Sequence, residues 1–354
     1  MDLLKSKTYL ADLDTALQSV VGLEDLRGRA ILITGATGTI GSFLVDMLQR
    51  WNETSGAGVC IYASGRSRVR LAARFGAERP GALCFVEHDV QQPITFDFPV
   101  DYIIHAGGNA HPVVFDSDPV GTVMSNVAGT YALLEYGRNH GARRLLYISS
   151  GEVYGQGDLS LDSFTEDYSG YVDPTSPRSC YPSGKRAAET LCASYAKQFS
   201  LETVMVRPCH TYGPGLTARD SRAHAAFIRE ALEGHDIIMK SAGAQLRSYA
   251  YIADCASVIL TVLLRGESGQ AYNSANPAAR ATIAQLAQII AEQAGVHVVF
   301  QDPDAVDIAL RCPIPKQVLS SAKVEALGWH GAYTVPEGVA HTLQVLRECR
   351  AQAE

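Results

Sequence analysis

The sequence predicts an α/β fold: a doubly wound parallel sheet with a smaller C-terminal α/β lobe. Short apolar runs, each typical of a strand buried on both faces of a sheet, recur at 30–34, 59–63, 83–86, 102–105, 145–149 and 203–206. Helical patterns separate several of these runs, at 40–49, 120–139 and 182–199. Strands that alternate with helices in this way form right-handed βαβ units, and a glycine-rich turn after the first run fits the start of such a unit.

The composition of the 354-residue chain is that of a packed protein. Hydrophobic residues make up 47% and charged residues 19%. The net charge is −7 without a basic run, which argues against a nucleic-acid partner. With no stretch of about 18 apolar residues and no signal-peptide pattern, we expect a cytoplasmic protein without a membrane partner. The eight cysteines are scattered without a CxxC pair, so we expect reduced thiols and no metal site.

A glycine-rich turn follows the first predicted strand. The segment Thr34-Gly35-Ala36-Thr37-Gly38-Thr39-Ile40-Gly41 has GxxGxxG spacing and opens the helical pattern at 40–49. Such glycines allow the main chain to approach a pyrophosphate, and the helix N-terminus offers free N–H groups to that anion. Because the motif lies between a strand and a helix, it predicts a dinucleotide site in the Rossmann arrangement. The expected contacts are Gly35, Thr37, Gly38, Thr39, Ile40 and Gly41.

The ends of the second and third strands leave the choice between NAD and NADP open. Ser64-Gly65-Arg66-Ser67 follows the second strand and lacks the carboxylate that would bind a ribose 2′-hydroxyl. Arg66 either meets the 2′-phosphate of NADP, or stacks on adenine or faces solvent. Asp89, just before Val90, either hydrogen-bonds the adenine amino group or caps the next turn.

The sequence divides into a leader and two functional parts. We expect an N-terminal helical leader at 1–28, a dinucleotide-binding domain at 29–207, and a substrate-binding lobe at 208–248 and 265–354. The chain is expected to return to the first domain at about 249–264. We predict no function for the leader.

A tyrosine and a lysine four residues apart share one face of a predicted helix, in Tyr181-Pro182-Ser183-Gly184-Lys185. A free tyrosine has a pKa of about 10 and is a weak base at neutral pH. An adjacent ammonium group stabilises the phenolate. Lowering the phenol pKa toward neutrality takes ~4 kcal/mol, which Lys185 and a nicotinamide cation are together expected to supply. Ser150 follows the strand at 145–149, at the sheet edge where ligands bind.

Six segments occur in the order found in the extended short-chain dehydrogenase/reductase family, the nucleotide-sugar epimerases, dehydratases and decarboxylases. They are GATGTIG, His105-Ala106-Gly107, NVAGT, ISSGEVYG, YPSGK and VRPCHTYGPG. The chain resembles this family over about residues 28–345. The resemblance implies that Tyr181 takes a hydroxyl proton, that Ser150 hydrogen-bonds the same oxygen, and that Lys185 binds the nicotinamide ribose. The full set of NAD(P) contacts that we expect beyond the glycine turn is Arg66, Asp89, Val90, His105, Ala106, Gly107, Asn126, Tyr181, Lys185 and Pro208.

Within that family, the chain most resembles the UDP-glucuronate decarboxylases. The segment 177–191 and Glu152 in Gly151-Glu152-Val153-Tyr154-Gly155 carry this likeness. It implies hydride transfer from sugar C4 to NAD⁺, loss of CO₂ from the resulting β-keto acid, and return of the hydride. Glu152 would orient the ring or a water, or is a capping or surface acid. Arg247 would position the anionic substrate through its planar fork.

Several positions depart from the decarboxylase pattern. Gly151 stands where 4,6-dehydratases have an acidic proton donor, which argues against dehydration. His111 is either a substrate contact or general acid, or a loop histidine. Arg178 either anchors the substrate or pairs with a carboxylate of the fold. His210 replaces an asparagine, and the loop around Asn109 is unusual. We expect substrate contacts at Asn109, His111, Arg178, His210 and Arg247.

Three functions remain open. The first is an enzyme that acts on a nucleotide-linked sugar by hydride transfer at C4, as a UDP-glucuronate decarboxylase or a C4 epimerase. The second is a net NAD(P)H-dependent reductase of a nucleotide-linked keto-sugar or keto-alditol. The third is a non-catalytic NAD(P)-sensing module, against which the intact Ser150, Tyr181 and Lys185 argue. The family resemblance also implies a homodimer whose helices near 120–139 and 182–199 form a four-helix bundle.

Overall fold

The structure is a computed structural model, and it describes residues 2–110, 112–216, 220, 222–302 and 314–352. The strands are β1 (Ala30–Thr34), β2 (Cys60–Gly65), β3 (Leu83–Glu87), β4 (Tyr102–His105), β5 (Arg144–Ile148), β6 (Glu202–Pro208), β7 (His210–Tyr212), β8 (Ile237–Met239), β9 (Leu246–Tyr251), β10 (Gln270–Ser274), β11 (Arg280–Thr282), β12 (Val298–Phe300) and β13 (Lys316–Gln317).

Helices connect most of these strands. They are α1 (Lys7–Gln18), α2 (Thr39–Ser55), α3 (Arg68–Phe75), α4 (Pro112–Ser117), α5 (Pro119–Asn139), α6 (Cys180–Phe199), α7 (Ala223–Leu232), α8 (Ile252–Arg265), α9 (Ile283–Ala294), α10 (Ala322–Glu325) and α11 (Val335–Ala351). Short 3-10 helices cover Leu3–Lys5, Leu23–Leu26, Gly151–Tyr154 and Pro177–Ser179. In the part of the chain that the structure describes, no helix has the length and apolar character needed to cross a bilayer.

Seven parallel strands form the main sheet in the order β10-β6-β5-β4-β1-β2-β3. The order reverses direction between β1 and β4, which is the switch point where ligands bind in open α/β sheets. This topology confirms the predicted α/β class. The apolar runs predicted all strands of this sheet except β10.

Helices cover both faces of the main sheet. In β1, Ile31 and Ile33 belong to the apolar cluster that contains the α2 side chains. Leu32 belongs to the opposite cluster, with Leu133 of α5 and Ala188 of α6. Successive side chains of a strand point to opposite faces, so this division of neighbours shows a doubly wound arrangement.

A second, smaller sheet is built around β9. It pairs with β7, β11 and β13, while β8 and β12 form a separate two-stranded ladder. We expected the chain to return to the first domain at about 249–264. β9 belongs to this second sheet, whereas α8 contacts β5 and β6 of the main sheet and leads to β10. The sequence analysis did not predict β10, because three of the five residues in its sequence, QAYNS, are polar. Its burial comes from packing against β6 and α8.

The N-terminal leader forms helix α1, which joins α2 to the C-terminal helix α11. On one side, the Asp14 carboxylate accepts two hydrogen bonds of 2.8 Å from the Arg50 guanidinium of α2. On the other side, the Thr8 hydroxyl donates to Glu348 of α11 at 2.9 Å. The leader is therefore an integral layer of the fold.

The Asp12 carboxylate is fully buried within the contacts of α1. It accepts hydrogen bonds from the Tyr251 hydroxyl at 2.5 Å, from the Tyr333 hydroxyl at 3.0 Å and from His341 Nδ1 at 2.6 Å. A buried carboxylate requires such donors, because desolvation of an unpaired charge is costly. These bonds connect α1 to β9 and to α11.

Replacing His341 with glutamine is expected to change how stability depends on pH. The hydrogen bond to Asp12, with help from the charges of Asp12 and Glu337, raises the pKa of His341. A raised pKa stabilises the fold fully below the unfolded-state pKa of about 6.5, and this contribution is lost as the pH rises through the folded-state pKa. The stability deficit of His341→Gln should therefore be largest at about pH 5.5 and smallest at about pH 8.5, as measured by urea unfolding.

His235→Gln is the matched control, because the His235 side chain is 67% exposed and contacts only an exposed glutamate in the described residues. It should show no comparable pH-dependent deficit. A deficit in His341→Gln that does not vary with pH would contradict the ion-pair assignment.

Candidate active site

The glycine turn between β1 and α2 has the close packing that a pyrophosphate site requires. Gly35 has a φ of +66°, and a Cβ added to it would lie 2.6 Å from the Ala106 carbonyl oxygen. A Cβ on Gly41 would overlap the Gly35 carbonyl oxygen. Gly38 precedes α2 and supplies no side-chain cap, so the first N–H groups of the helix face outward without a side-chain acceptor. The turn therefore fits the pyrophosphate of a dinucleotide.

Residues predicted at the adenine end lie at the ends of β2 and β3. Arg66 directly follows β2 and is exposed. Asp89 follows β3, and its Oδ1 accepts a hydrogen bond from the Gln91 N–H at 3.1 Å, which is the turn-capping alternative. Val90 packs so closely that a Cβ on Gly107 would lie 2.9 Å from its Cγ1. The contacts of Arg66 and Asp89 with a cofactor stay predictions.

Thr34 and His105 join the ends of β1 and β4. The Thr34 hydroxyl oxygen accepts from the Gly107 N–H at 3.0 Å and lies 2.8 Å from His105 Nδ1. Burial lowers the pKa of His105 to about 3, so its ring is neutral. The His105 side chain is fully buried, and its contact with Thr34 links the ends of β1 and β4 next to the glycine turn.

Asn126 is buried in α5 and has partners for both ends of its amide. Its Nδ2 donates to the Thr122 carbonyl at 2.7 Å, and its Oδ1 accepts from the Tyr147 hydroxyl of β5 at 2.9 Å. A Cβ on Gly184 of α6 would lie 3.3 Å from the Asn126 Cβ. Asn126 therefore holds three elements together behind the site, and its contact with a cofactor remains predicted.

Lys185 lies in α6 with its ammonium group inside the protein. Its Nζ donates to the Ile148 carbonyl at 2.7 Å and lies 4.6 Å from the centroid of the Tyr147 ring. Burial lowers the pKa of Lys185 to about 7, and the charge of Glu189, one helical turn away, opposes this shift. The amine thus faces the end of β5 that leads to Ser150.

Tyr181 lies near the start of α6 and stacks on Phe115, with ring centroids 4.4 Å apart. Burial raises the pKa of its phenol to about 12, the charge of Glu152 adds to the increase, and hydrogen bonding to the Ser150 side chain lowers it. The expected lowering of this pKa therefore does not arise from the protein's own groups. Lys185 does not supply it, because its amine lies 5.6 Å from the Tyr181 ring centroid and donates to a backbone carbonyl.

Glu152 and Arg178 form an ion pair beside Tyr181. Both terminal nitrogens of Arg178 lie 3.2 Å from Glu152 Oε2, which confirms the alternative that Arg178 pairs with a carboxylate. Ser150 caps the 3-10 helix that carries Glu152, by accepting from the Glu152 N–H at 3.1 Å. Burial raises the pKa of Glu152, while the charges of Arg178 and Arg247 lower it.

Two more guanidinium groups lie near this pair. Arg247 in β9 is buried, and Arg222 holds Asp220 through two hydrogen bonds of 2.6 and 2.9 Å. Burial, together with the charges of Arg247 and Arg222, lowers the pKa of His210 to about 3. A neutral imidazole thus lies among cations, an arrangement suited to an anionic ligand.

Three further predicted residues are Asn109 and His111, expected as substrate contacts, and Pro208, expected as a cofactor contact. Asn109 donates to the Thr122 hydroxyl at 3.4 Å, near the start of α5. His111 lies outside the described residues. Pro208 ends β6, and its carbonyl oxygen lies 3.4 Å from the position of a Cβ added to Gly151.

The sequence reasoning missed two residues of the site. Arg222 acts on Tyr181 and His210 through its charge, and Gln317 of β13 donates to the Gly151 carbonyl at 2.9 Å. Both lie in the loop-rich C-terminal part of the chain, beside other polar residues. No local pattern marks them, because only the packing of the second lobe on the sheet edge brings them to the site.

The chain is similar to known proteins along most of its length. The model of the NAD dependent epimerase/dehydratase family matches residues 31–276. UDP-glucuronic acid decarboxylase 6 of Arabidopsis thaliana is 35% identical over 313 residues, 87% of this chain and 86% of that protein. UDP-glucuronic acid decarboxylase 1 of Danio rerio is 33% identical over 331 residues, 92% of this chain and 74% of that protein.

Solved structures share the fold at lower identity. The UDP-glucose 4-epimerase of Thermotoga maritima has a TM-score of 0.74 at 22% identity, over 92% of this chain and 100% of that one. DesIV, a dTDP-glucose 4,6-dehydratase of Streptomyces venezuelae, has a TM-score of 0.73 at 24% identity, over 91% of this chain and 98% of that one. With the family match and the relatives above, these findings show that the chain belongs to the NAD dependent epimerase/dehydratase family, as an enzyme of the extended short-chain dehydrogenase/reductase type close to the UDP-glucuronic acid decarboxylases.

Proposed function

We propose that this protein decarboxylates UDP-glucuronate with NAD(P) as a cofactor that is regenerated in each cycle. One observation carries the proposal: the sheet edge that holds Ser150, Tyr181 and Lys185 also gathers the guanidinium groups of Arg178, Arg222 and Arg247 around Glu152 and His210. A nucleotide-linked uronate carries a diphosphate and a carboxylate, and both suit such cations. The decarboxylase names of the relatives support the same substrate.

The glycine turn and Lys185 would hold the cofactor. When bound, the oxidised nicotinamide supplies a hydride acceptor, a positive charge and later the returned hydride. The structure fits this group because Gly35 and Gly41 let the turn pack tightly on its own backbone, where a Cβ would overlap the Ala106 and Gly35 carbonyl oxygens, and because the N-terminus of α2 has no side-chain cap. Lys185 would bind the nicotinamide ribose while it stays fixed to the Ile148 carbonyl.

Tyr181 is the proposed base for the C4 hydroxyl of the sugar. Its phenolate is unfavourable in the protein alone, because burial raises the phenol pKa to about 12. Proton removal therefore requires added positive charge near the phenol oxygen. Ser150 would hydrogen-bond the reacting oxygen and hold it against Tyr181.

The ketone formed at C4 lies β to the C6 carboxylate of the sugar. Cleavage of the C5–C6 bond releases CO₂ and leaves the electron pair in an enolate, which is then reprotonated. Glu152 would orient the ring or a water for this step, held in place by its ion pair with Arg178. Arg247 would hold the anionic substrate from β9.

Gly151 argues against a 4,6-dehydratase. That reaction needs an acid at this position, and a Cβ here would already lie 3.3 Å from Leu319 Cδ1 and 3.5 Å from Gln317 Nε2. Position 151 therefore lacks that acid, and a side chain there would need a small shift of Leu319.

Incubation of the purified protein with NAD⁺ and UDP-glucuronate tests the proposal. We expect CO₂ and a UDP-pentose, detected by trapping labelled CO₂ and by mass spectrometry. Unchanged substrate at high enzyme concentration would eliminate the decarboxylase, and a C4 epimer without CO₂ would favour the epimerase alternative.

Tyr181→Phe is expected to abolish hydride transfer while cofactor binding persists. Loss of a positioned acid–base group typically costs ~10²–10⁴ in rate, and the phenyl ring keeps the stacking on Phe115. The measurement is kcat for UDP-glucuronate alongside the Kd for NAD⁺. Tyr171→Phe is the control, since Tyr171 is 62% exposed. Equal activity of both variants would remove Tyr181 as the base.

A net reductase is the second candidate, and Arg66 favours it. Arg66 stands exposed after β2, where a carboxylate would select NAD, so the position suits the 2′-phosphate of NADP. Consumption of NADPH only in the presence of a nucleotide-linked keto-sugar would support this activity.

The Arg66→Ala variant tests whether Arg66 makes the protein prefer NADP over NAD. If Arg66 binds a 2′-phosphate, its removal should weaken NADPH binding by about 10- to 100-fold, the worth of a charge-assisted hydrogen bond, and leave NADH binding nearly unchanged. Arg70→Ala, on the exposed face of α3, is the control. Equal losses for both cofactors would assign Arg66 to adenine instead.

We also propose a homodimer through α5 and α6. The two helices pack against each other, and α5 exposes Val120, Met124 and Tyr131 by 73%, 48% and 52%. Apolar side chains on a helix pair are suited to a two-fold bundle with a second copy.

A further inference from the structure

We propose that Asp12 of the leader is a positioning residue of the substrate site, because through Tyr251 it holds the strand β9 that presents Arg247. This inference rests on the proposed function, in which Arg247 binds the anionic substrate. The leader precedes the part of the chain that the family model matches, which begins at residue 31. The role is thus assigned from the contacts of this chain.

The anchor point is the junction between β9 and α8. Tyr251 is the last residue of β9 and the N-cap residue of α8, and its hydroxyl donates to Asp12 Oδ2 at 2.5 Å. Both groups are fully buried, so the bond has no solvent competitor and neither partner can leave it without a desolvation cost. The bond therefore fixes the direction in which β9 leaves the second sheet.

The Tyr251 end of β9 depends on this anchor more than the other end. The first half, Leu246–Ser248, pairs with β11 and β13 on its edges. Among the described residues, the second half pairs in register with the three-residue strand β7 alone, and the Tyr249 N–H also donates one hydrogen bond to the Ala279 carbonyl. A short ladder alone leaves this half free to shift, and a side-chain anchor removes that freedom.

The side chains of β9 connect the anchor to the site along one face. Arg247, Tyr249 and Tyr251 are alternate residues of this strand and so point to the same face of it. The Tyr251 ring lies 5.9 Å from Tyr212, which lies 6.3 Å from Tyr249, which lies 5.7 Å from His210, all between centroids. Buried rings in contact move together because close-packed interiors deform little. A shift at Tyr251 is thus expected to reach His210 and Arg247.

Asp14, on the same helix, provides a matched comparison. Its carboxylate pairs with Arg50 of α2 by two hydrogen bonds of 2.8 Å and has no bond to β9. Loss of that pair weakens the attachment of the leader to the first domain and leaves the Asp12–Tyr251 bond in place. A role specific to β9 therefore predicts different results at the two positions.

The experiment compares Asp12→Asn, Tyr251→Phe and Asp14→Asn in the full chain. First, hydrogen exchange is measured for peptides that cover residues 246–251. We expect these peptides to exchange faster than in the wild type in Asp12→Asn and Tyr251→Phe. In Asp14→Asn their exchange rate should not change. Second, KM and kcat for UDP-glucuronate are measured with NAD⁺ present. We expect KM to rise about 3- to 30-fold in the first two variants with a smaller change in kcat, and less than twofold in Asp14→Asn.

The double variant Asp12→Asn/Tyr251→Phe tests whether the two residues act through one bond. Its KM should equal the higher of the two single-variant KM values, and the two increases in KM should not multiply. Unchanged exchange in 246–251, or an equal effect of Asp14→Asn, would overturn the positioning role. If the wild type does not turn over UDP-glucuronate while the exchange differences appear, the proposed function fails and the hold of Asp12 on β9 stands.

Discussion

The site depends on the close approach of the ends of β1 and β4. Gly35 and Ala106 meet so closely that no Cβ fits between them, and the Thr34 hydroxyl links the same strands by accepting from Gly107. The glycine turn directly follows β1, and the loop that leads to α4 and α5 directly follows β4. The distance between two strand ends therefore sets the position of the proposed cofactor site relative to Asn126 and Lys185. The order of the strands in the sheet thus also determines the geometry of the proposed cofactor site.

Burial governs the electrostatics of the site. It raises the pKa of Tyr181 to about 12 and lowers the pKa of Lys185 to about 7, so it favours the neutral form of both groups. Glu152 works against a phenolate as well, and Arg178 limits that effect by pairing with the carboxylate. Tyr181 and Lys185 are thus largely shielded from solvent, so a charge added beside them acts strongly. The proposed role of Tyr181 as a base then depends on the charge of the group that binds beside it.

Much of the fold could be predicted because its signals are local. Each buried parallel strand needs apolar side chains on both faces, so five residues such as those of β1 reveal it without knowledge of their neighbours. β10 has no such signal, since Asn273 and Ser274 are polar and buried; the Asn273 Nδ2 donates to the Phe164 carbonyl at 3.0 Å. Its place in the sheet follows from partners distant in sequence. The tie between the leader and β9 escaped prediction for the same reason.

In the candidate site, too, some residues have a local sequence signal and others do not. Residues at strand ends and helix starts, such as Gly35, Ser150 and Tyr181, could be proposed from the sequence because the chain order determines where those ends meet. Arg222 and Gln317 were not, because they reach the site on segments of the second lobe whose path no periodicity encodes. The pKa of Tyr181 could not be read from the spacing of YxxxK either. That spacing places an ammonium on the same helix face, but the direction of the shift is decided by desolvation and by Glu152, and neither is visible until the chain is folded.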